Sequence, residues 1–274
     1  MHFYNNDRLK LNCTMQNSFT KIGLEKEYEL QFSICTIVSN LNEYALMKIS
    51  FENAGFTNDC EYLIADNTTG NVFDGYSAIR RFLQESKATY TIIVHQDVRC
   101  EDNIGVLKSC LQALNKKDKN WAVCGNAGGI DYRQVIFHLN NNGDVRKTAG
   151  LPLKVNTLDE NLLIVKTSAL LTVSADVKNF HFYGTDICII ADLLGYTAYV
   201  IPFMVQHLSK GNLTDMEAKK QPFVEKYGYK LRSRFIQTTC TKFYIGKSIE
   251  QTKLLNSKPV FFWLKALRRL RNKF

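Results

Sequence analysis

Residues 90–98 read Tyr-Thr-Ile-Ile-Val-His-Gln-Asp-Val, and this stretch decides the fold class. Its first five residues are mostly apolar or β-branched, as in a buried strand, and the chain then passes directly into polar residues. Segments with helical periodicity lie near 44–51, 74–86 and 103–114. Similar apolar runs predict six strands in all: 34–38, 61–65, 90–94, 121–124, 162–165 and 199–201. Strands that alternate with helices indicate an α/β fold with a mostly parallel sheet flanked by helices.

Polar side chains follow the carboxyl ends of the first three predicted strands. In sheets of this class, ligands bind in the crevice beyond those ends. Asp97 beside His95, directly after a buried strand, favours a role in ligand binding. Asp66 followed by Asn67 is also compatible with an ordinary turn. The candidate binding residues at these strand ends are Ser39, Asp66, Asn67, His95, Gln96 and Asp97.

The second half of the chain departs from the simple alternation. Residues 140–144, Asn-Asn-Asn-Gly-Asp, predict the turn of a small hairpin excursion. A helix is predicted over 187–194, which places Asp186 at a helix N-terminus, where the helix dipole keeps a carboxylate ionised. No stretch has the composition of a linker. We therefore predict one large domain at 1–215, followed by a basic helical region at 216–274.

The charge of the chain implies an anionic partner. The 274 residues carry a formal net charge of +9, and basic residues crowd the C-terminal end. No zinc-finger, helix-turn-helix or RNA-binding signature occurs, so nucleic acid is not the expected partner. Residues 258–274 contain no acid and place apolar side chains at helical spacing. They predict a tail helix in peripheral contact with an anionic membrane, the alternative being a helix packed on the core with a solvated basic face.

The cysteines and the N-terminus bear on the location of the protein. Eight cysteines are spread along the chain without a Cys-x-x-Cys pair, and Cys35, Cys124 and Cys188 lie in apolar runs. This pattern indicates buried free thiols in a reducing compartment. The N-terminus lacks the form of a signal peptide, and no run approaches the about 20 apolar residues of a membrane span. The expected location is cytoplasmic, or peripheral on the cytosolic face of a membrane.

The order of these segments resembles the family 2 glycosyltransferases, which have the GT-A fold, over roughly residues 33–211. The stretch Val-His-Gln-Asp-Val at 94–98 resembles the Asp-x-Asp motif of that family, with His95 in place of the first aspartate. It is similar to a bacterial subgroup that has a His-Gln-Asp-Val version of the motif. Three later stretches resemble family elements in the same order: 159–163, 182–186 and 207–211.

The resemblance implies an inverting transferase that moves a hexosyl or deoxyhexosyl group from a nucleotide diphosphate sugar to a hydroxyl of a glycan or lipid-linked acceptor. Surface polysaccharide synthesis, of lipopolysaccharide or capsule, is the implied setting. The six strand-end residues would bind the donor. The resemblance assigns the other roles as follows: Asp97 and His207 as ligands of a divalent cation (Mn²⁺ or Mg²⁺), Asp186 as catalytic base, and Asp159, Glu160 and Tyr183 as acceptor-binding residues.

The implied reaction explains why residues of these types are needed. Negative charge builds on the departing diphosphate, and a divalent cation held by a carboxylate and an imidazole would neutralise it. A second carboxylate must take the proton of the acceptor hydroxyl, with Asp159 or Glu160 as the alternative to Asp186.

Two other functions remain as alternatives. A nucleotidyltransferase usually has a Gly-rich loop after the first strand, which is lacking here, and a non-enzymatic basic module could bind membranes or nucleic acid.

Overall fold

The structure, a computed structural model, describes residues 23, 26–130, 134–209, 215–237, 242–260 and 262–263. The chain divides into two units, Met1–Lys210 and Gly211–Phe274. The domain boundary predicted after residue 215 falls inside the second unit. All six described cysteines are free thiols, and the three predicted to be buried are buried.

A seven-stranded sheet forms the centre of the first unit. All six predicted strands occur in it, and the seventh is a short strand at one edge. The strands are β1 Leu30–Val38, β2 Cys60–Asp66, β3 Ala88–Val94, β5 Trp121–Gly125, β9 Leu153–Val155, β11 Leu162–Lys166 and β12 Thr197–Val200. Their order across the sheet is β2-β1-β3-β11-β5-β12-β9.

The sheet is mixed rather than uniformly parallel. Five strands run in one direction, since β1 is parallel to β2 and β3, and β12 is parallel to β5. Strand β11 lies between β3 and β5 and is antiparallel to both, and β9 is antiparallel to β12. The prediction of a mostly parallel sheet is therefore correct for five strands and wrong for β11. A fully buried apolar run carries no sequence signal of its direction.

Helices cover both faces of the central sheet, which confirms the predicted α/β architecture. One face is covered through Met47 and Leu107, and the other through Ile79 and Ile187, all four fully buried. Burying each such side chain contributes about 1.5–3 kcal/mol. In the described part of the first unit, the α-helices are α1 Leu41–Asn53, α2 Gly75–Glu85, α3 Ile104–Lys117 and α4 Tyr183–Leu193.

A second sheet brings a late segment of the first unit to the end of β3. Strands β7 and β8 form the hairpin predicted around residues 140–144. Strand β13 is antiparallel to β4, and this pairing sets His207 opposite Val98. The order is β10-β6-β7-β13-β4, with β8 paired to β7. The strands are β4 Val98–Cys100, β6 Ala127–Gly129, β7 Val135–Asn141, β8 Asp144–Lys147, β10 Thr157–Leu158 and β13 Val205–His207.

The second unit is small. Asn256 fastens a helix to a strand, because its side-chain oxygen accepts a hydrogen bond from the backbone N–H of Tyr244 at 2.7 Å. Most of the predicted tail helix lies outside the described residues. Within the described part of the chain, no helix is both long enough and apolar enough to cross a bilayer. The elements are α5 Met216–Lys230, β14 Arg234–Gln237, β15 Lys242–Ile245 and α6 Ile249–Leu255.

Candidate functional site

Three predicted residues meet at the end of β3. One ligand atom from each of His95, Asp97 and His207 lies within 4.8 Å of the other two. His207 Nε2 is 3.5 Å from Asp97 Oδ1, and the two imidazole rings are 5.7 Å apart between centroids. Among the described residues, this is the group of histidines, cysteines and carboxylates that could hold a metal ion.

Backbone hydrogen bonds fix the three residues of this cluster. The N–H of His95 donates to the carbonyl of Asn161 at 3.2 Å, which continues the pairing of β3 with β11. The His95 carbonyl accepts from Val98 at 3.2 Å, and this closes a turn around Asp97. The Asp97 carbonyl in turn accepts from Leu208 at 3.1 Å. The loop after β3 and the end of β13 are thus tied together by main-chain bonds.

The electrostatics of the cluster favour one charged pair beside a neutral imidazole. Burial alone would raise the pKa of Asp97, but hydrogen bonds from His207 and Ser209 and the charge of His207 hold it below its usual value. Burial alone would also lower the pKa of His207, yet its bond to Asp97 raises that pKa. Burial lowers the pKa of His95, and the nearby carboxylates Asp97 and Asp159 offset only part of this effect.

The donor set decides which metal the cluster fits. Two imidazole nitrogens and one carboxylate suit the borderline ions Fe²⁺ and Zn²⁺, and the harder Mn²⁺ also accepts such a mixed nitrogen and oxygen set. Mg²⁺ prefers oxygen ligands in near-ideal octahedral geometry. His95 therefore joins the predicted ligands Asp97 and His207, and of the two predicted ions Mn²⁺ fits this set better than Mg²⁺.

Gln96 joins the ends of β1 and β3. Its side-chain oxygen accepts from the backbone N–H groups of Ser39 at 2.9 Å and Asn40 at 3.0 Å, and its side-chain nitrogen donates to Ser39 Oγ at 2.8 Å. The side chain of Asn40 caps α1 by accepting from Asn42 and Glu43. The structure thus brings Ser39 and Gln96 together beside the cluster, where both have a structural role in addition to any contact with a donor.

The two predicted donor residues after β2 differ in exposure. Asp66 is exposed, and its carboxylate accepts from the backbone and hydroxyl of Thr68 at 2.9 and 2.7 Å, bonds that lower its pKa. Asn67 is 5% exposed, and its amide makes two 2.8 Å bonds to the backbone of Phe73. Asn67 therefore has a structural role in holding this loop, and its donor-binding role stays a prediction that these contacts do not favour. Turn chemistry explains both positions.

Asp159 and Glu160 lie in unlike environments. Asp159 is exposed, and its Oδ1 accepts from the backbone and side-chain nitrogens of Asn161 at 3.0 and 2.5 Å. Glu160 is partly buried, and its Oε1 lies 3.4 Å from the N–H of Gly184. Burial, assisted by the charge of Asp159, raises the pKa of Glu160 to about 8. Neighbouring carboxylates with such unlike surroundings are typical of acid–base sites.

Tyr183 is part of the site in a way that the sequence did not predict. It is 3% exposed, and its acceptor-binding role stays a prediction that this burial does not favour. Its hydroxyl lies 2.7 Å from His95 Nε2 and 3.3 Å from the Glu160 carbonyl oxygen. Tyr183 and His95 are 88 residues apart in the chain, and no spacing rule links them. Ser209 was also missed as a partner of the cluster, although it lies in the 207–211 stretch.

Asp186 has contacts unlike those of a catalytic base. Helix α4 begins at Tyr183, so Asp186 lies in its first turn, and the prediction of a helix starting at 187 is wrong. The residue is 0% exposed, and its two carboxylate oxygens accept from Ser174 N and Ser174 Oγ, each at 2.7 Å. The base role of Asp186 stays a prediction that these contacts do not favour, because the residue is fully buried and both of its carboxylate oxygens already accept hydrogen bonds.

Comparison with known proteins identifies a relative for most of the chain. No family model matches the chain. The protein described as "ATP synthase subunits region ORF 6" of Fuscovulum blasticum is 32% identical in an alignment of 219 residues that covers 76% of this chain and 88% of that protein. The chain belongs to the family of this ORF 6 protein. The description of the ORF 6 protein gives a reading frame in a gene region and states no activity.

Several solved structures are similar at a lower level. The crystal structure of A197 from STIV has a TM-score of 0.41 at 12% identity and covers 66% of this chain and 87% of its own. The crystal structure of S. aureus TarS 1–349 has a TM-score of 0.43 at 13% identity, and the match covers 65% of this chain and 60% of the TarS chain. The mannosyltransferase PcManGT from Pyrobaculum calidifontis, in complex with GDP-Man and Mn²⁺, has a TM-score of 0.46 at 12% identity. That match covers 76% of this chain and 68% of the PcManGT chain. At TM-scores below 0.5, these similarities carry no information on the activity of the ORF 6 family.

Proposed function

We propose that the chain is a metal-dependent glycosyltransferase of the GT-A type, which transfers a sugar from a nucleotide diphosphate sugar to a hydroxyl of a glycan or lipid-linked acceptor. The observation that carries this proposal is the cluster of His95, Asp97 and His207 at the end of β3. It lies beyond the carboxyl ends of parallel strands, where α/β proteins bind nucleotides. The order of motifs along the chain, from Ser39 to His207, supports the same function.

The chemistry follows from what the cluster could hold. A divalent cation bound there would stabilise the negative charge that develops on the departing diphosphate. His95, Asp97 and His207 would hold that ion, and the preformed backbone bonds around them would keep the ligands in place. The clamp between Gln96 and Ser39 keeps the loop after β1 beside the cluster, so the nucleoside end of the donor would lie against Ser39 and the exposed Asp66.

Asp159 is the carboxylate best placed to act as the base. It is exposed, so an acceptor hydroxyl can reach it. Its charge acts on both His95 and His207, which places it at the edge of the cluster. Deprotonation of the acceptor by Asp159, on the side of the sugar opposite the leaving diphosphate, would invert the configuration of the anomeric carbon.

The nucleotidyltransferase alternative has less support. Enzymes of that class bind phosphate with free backbone N–H groups in the loop after the first strand. In this chain the N–H groups of Ser39 and Asn40 donate to Gln96. These bonds would have to break before the loop could bind a phosphate group. We therefore keep glycosyl transfer as the proposed function.

The second unit supports a peripheral contact with the cytosolic face of a membrane. Residues 211–274 hold 15 basic and 4 acidic residues, a net charge of +11. Phe262 and Trp263 are 71% and 67% exposed and follow the basic Lys258. Aromatic side chains among basic residues suit the headgroup region of an anionic bilayer. Such a contact would bring the enzyme to a lipid-linked acceptor, as in the synthesis of surface polysaccharides.

A donor screen tests the proposed function directly. Purified protein is incubated with UDP-, GDP- and dTDP-sugars with and without Mn²⁺, and release of nucleoside diphosphate is measured. We expect one nucleotide class to be turned over only with the metal, and excess EDTA to abolish turnover. Turnover of no donor, together with tight binding of DNA or heparin, would instead favour a non-enzymatic basic module.

A further inference from the structure

We propose that Tyr183 is a positioning residue for the metal site: its hydroxyl holds His95 as the tautomer with the proton on Nε2 and leaves Nδ1 as the ligand atom. The inference rests on the metal site of the proposed function. The experiment also measures the tautomer of His95 in metal-free protein. It therefore distinguishes the case in which Tyr183 does not orient His95 from the case in which the cluster does not bind a metal.

The two hydrogen-bond neighbours of the Tyr183 hydroxyl favour one direction for each bond. The hydroxyl has one proton and two neighbours, His95 Nε2 at 2.7 Å and the Glu160 carbonyl oxygen at 3.3 Å. A carbonyl oxygen only accepts, so the arrangement that pairs both neighbours has the hydroxyl donating its proton to Glu160. In that arrangement the bond to His95 runs the other way, with Nε2–H donating to the Tyr183 oxygen. A neutral imidazole protonated on Nε2 has its lone pair on Nδ1, which is the nitrogen free to bind a metal.

The fold holds Tyr183 rigidly enough to act in this way. Its ring is 3% exposed and meets the ring of Tyr76 edge-on, at 6.3 Å between centroids and 90° between planes. Phe182, just before it, has a left-handed backbone with φ of 66°, a costly conformation for a residue with a Cβ. A Cβ added to Gly184 would lie 2.3 Å from the Leu158 carbonyl oxygen, so the start of α4 packs directly against β10. The position of the hydroxyl is therefore set by main-chain packing.

Orienting contacts of this kind affect how tightly a metal is bound. A histidine ligand commonly donates its second N–H to an acceptor, which fixes its ring and tautomer, and loss of that acceptor costs about 10–100-fold in metal affinity. In this chain the hydrogen-bond acceptor for His95 is the Tyr183 hydroxyl, which itself donates to the Glu160 carbonyl oxygen. These two successive hydrogen bonds determine which nitrogen of His95 carries the proton. Tyr183→Phe keeps the ring and its packing and removes only the oxygen.

The experiment compares Tyr183→Phe with Tyr76→Phe in the full chain. Tyr76 is the matched control, because it is equally buried and its hydroxyl donates to the backbone oxygen of His181 at 3.1 Å. Long-range ¹H–¹⁵N spectra of metal-free, ¹⁵N-histidine-labelled protein assign the tautomer of each of the five histidines, with His95→Gln to identify the signal. Mn²⁺ affinity is then measured by calorimetry on the same samples, and melting temperatures verify folding.

We expect the Nε2–H tautomer for His95 in the wild type, and its loss in Tyr183→Phe together with a rise in the Kd for Mn²⁺ of about 10-fold or more. Tyr76→Phe should leave both readouts unchanged. An Nδ1–H tautomer in the wild type would overturn the inference, as would a folded Tyr183→Phe variant with unchanged tautomer and Mn²⁺ affinity. Wild-type protein that binds no Mn²⁺ would overturn the role at a metal, while the tautomer would still show whether Tyr183 orients His95.

Discussion

The two units of the chain differ in charge and in what they hold. Residues 1–210 carry a net charge of −2 and contain every residue assigned to the chemistry, whereas residues 211–274 carry +11. Arg99, two residues from Asp97, is already paired with Glu43 at 2.6 Å. In the proposed function, the counter-charge for the diphosphate therefore comes from a metal ion, and the excess basic charge of the second unit serves contact with a membrane surface. This difference shows that the net charge of +9 of the whole chain does not describe the charge of the unit that contains the candidate site.

The largest effect expected within the first unit is on the base. Asp159→Asn should lower transfer by about 10²-fold or more, because the amide cannot accept the acceptor proton. The same variant should bind anionic vesicles as well as the wild type does. Turnover of donor and acceptor under saturating conditions is the measurement.

Asp186→Asn is the matched comparison for the base. This substitution keeps the size of the side chain, and we expect a lower melting temperature but no loss of turnover comparable with Asp159→Asn. A folded Asp186→Asn variant that loses transfer while Asp159→Asn retains it would return the base role to Asp186.

A smaller effect is expected when charge is reversed in the second unit. Lys247, Lys253 and Lys258 are all exposed, and each basic residue near an anionic surface contributes about 1 kcal/mol. Replacing all three by glutamate should weaken binding to phosphatidylserine-containing vesicles by about 10²-fold in a sedimentation assay. Turnover of a soluble acceptor should stay unchanged.

The control for that experiment is charge reversal in the first unit. Lys87, Lys116 and Lys119 are exposed as well, and their replacement by glutamate changes the net charge of the chain by the same amount. If both triple variants lose vesicle binding equally, the contact depends on net charge rather than on the second unit. That result would contradict the assignment of membrane binding to the second unit.

The last expected effect is on stability rather than on turnover or membrane binding, and it concerns Glu160. Its pKa in the folded protein is raised to about 8, so its ionisation disfavours the folded state. Stability is highest below the unfolded-state pKa of about 4.3 and is lost as the pH rises to about 8. Glu160→Gln removes this loss, so the variant should melt above the wild type, by a margin that grows between pH 5 and 8 and corresponds to at most about 4 kcal/mol. A constant margin across this range would mean that Glu160 is not perturbed.

The two regions of the fold were predictable to different degrees. Apolar runs and helical periodicity gave all six strands and the helices around them, because burial of alternating segments imposes both patterns. The polar residues at the strand ends predicted His95 and Asp97 as site residues, and the family resemblance added His207. The antiparallel direction of β11 was not predictable, since its apolar residues suit either direction. Contacts such as Tyr183 with His95, and Ser174 with Asp186, depend on where the fold places distant segments, and the sequence contains no spacing that reports them.

The measurement that tests the central claim most directly is Mn²⁺ binding by the full chain, followed by calorimetry and by the electron paramagnetic resonance of bound Mn²⁺. We predict one Mn²⁺ site in the wild type that is lost in Asp97→Ala and in His207→Ala. It should be retained in Asp144→Ala, which removes an exposed carboxylate of the β7–β8 hairpin that is paired with Arg146. Binding that is equal in the wild type and in all three variants would contradict the assignment of the metal to this cluster, and with it the proposed mechanism.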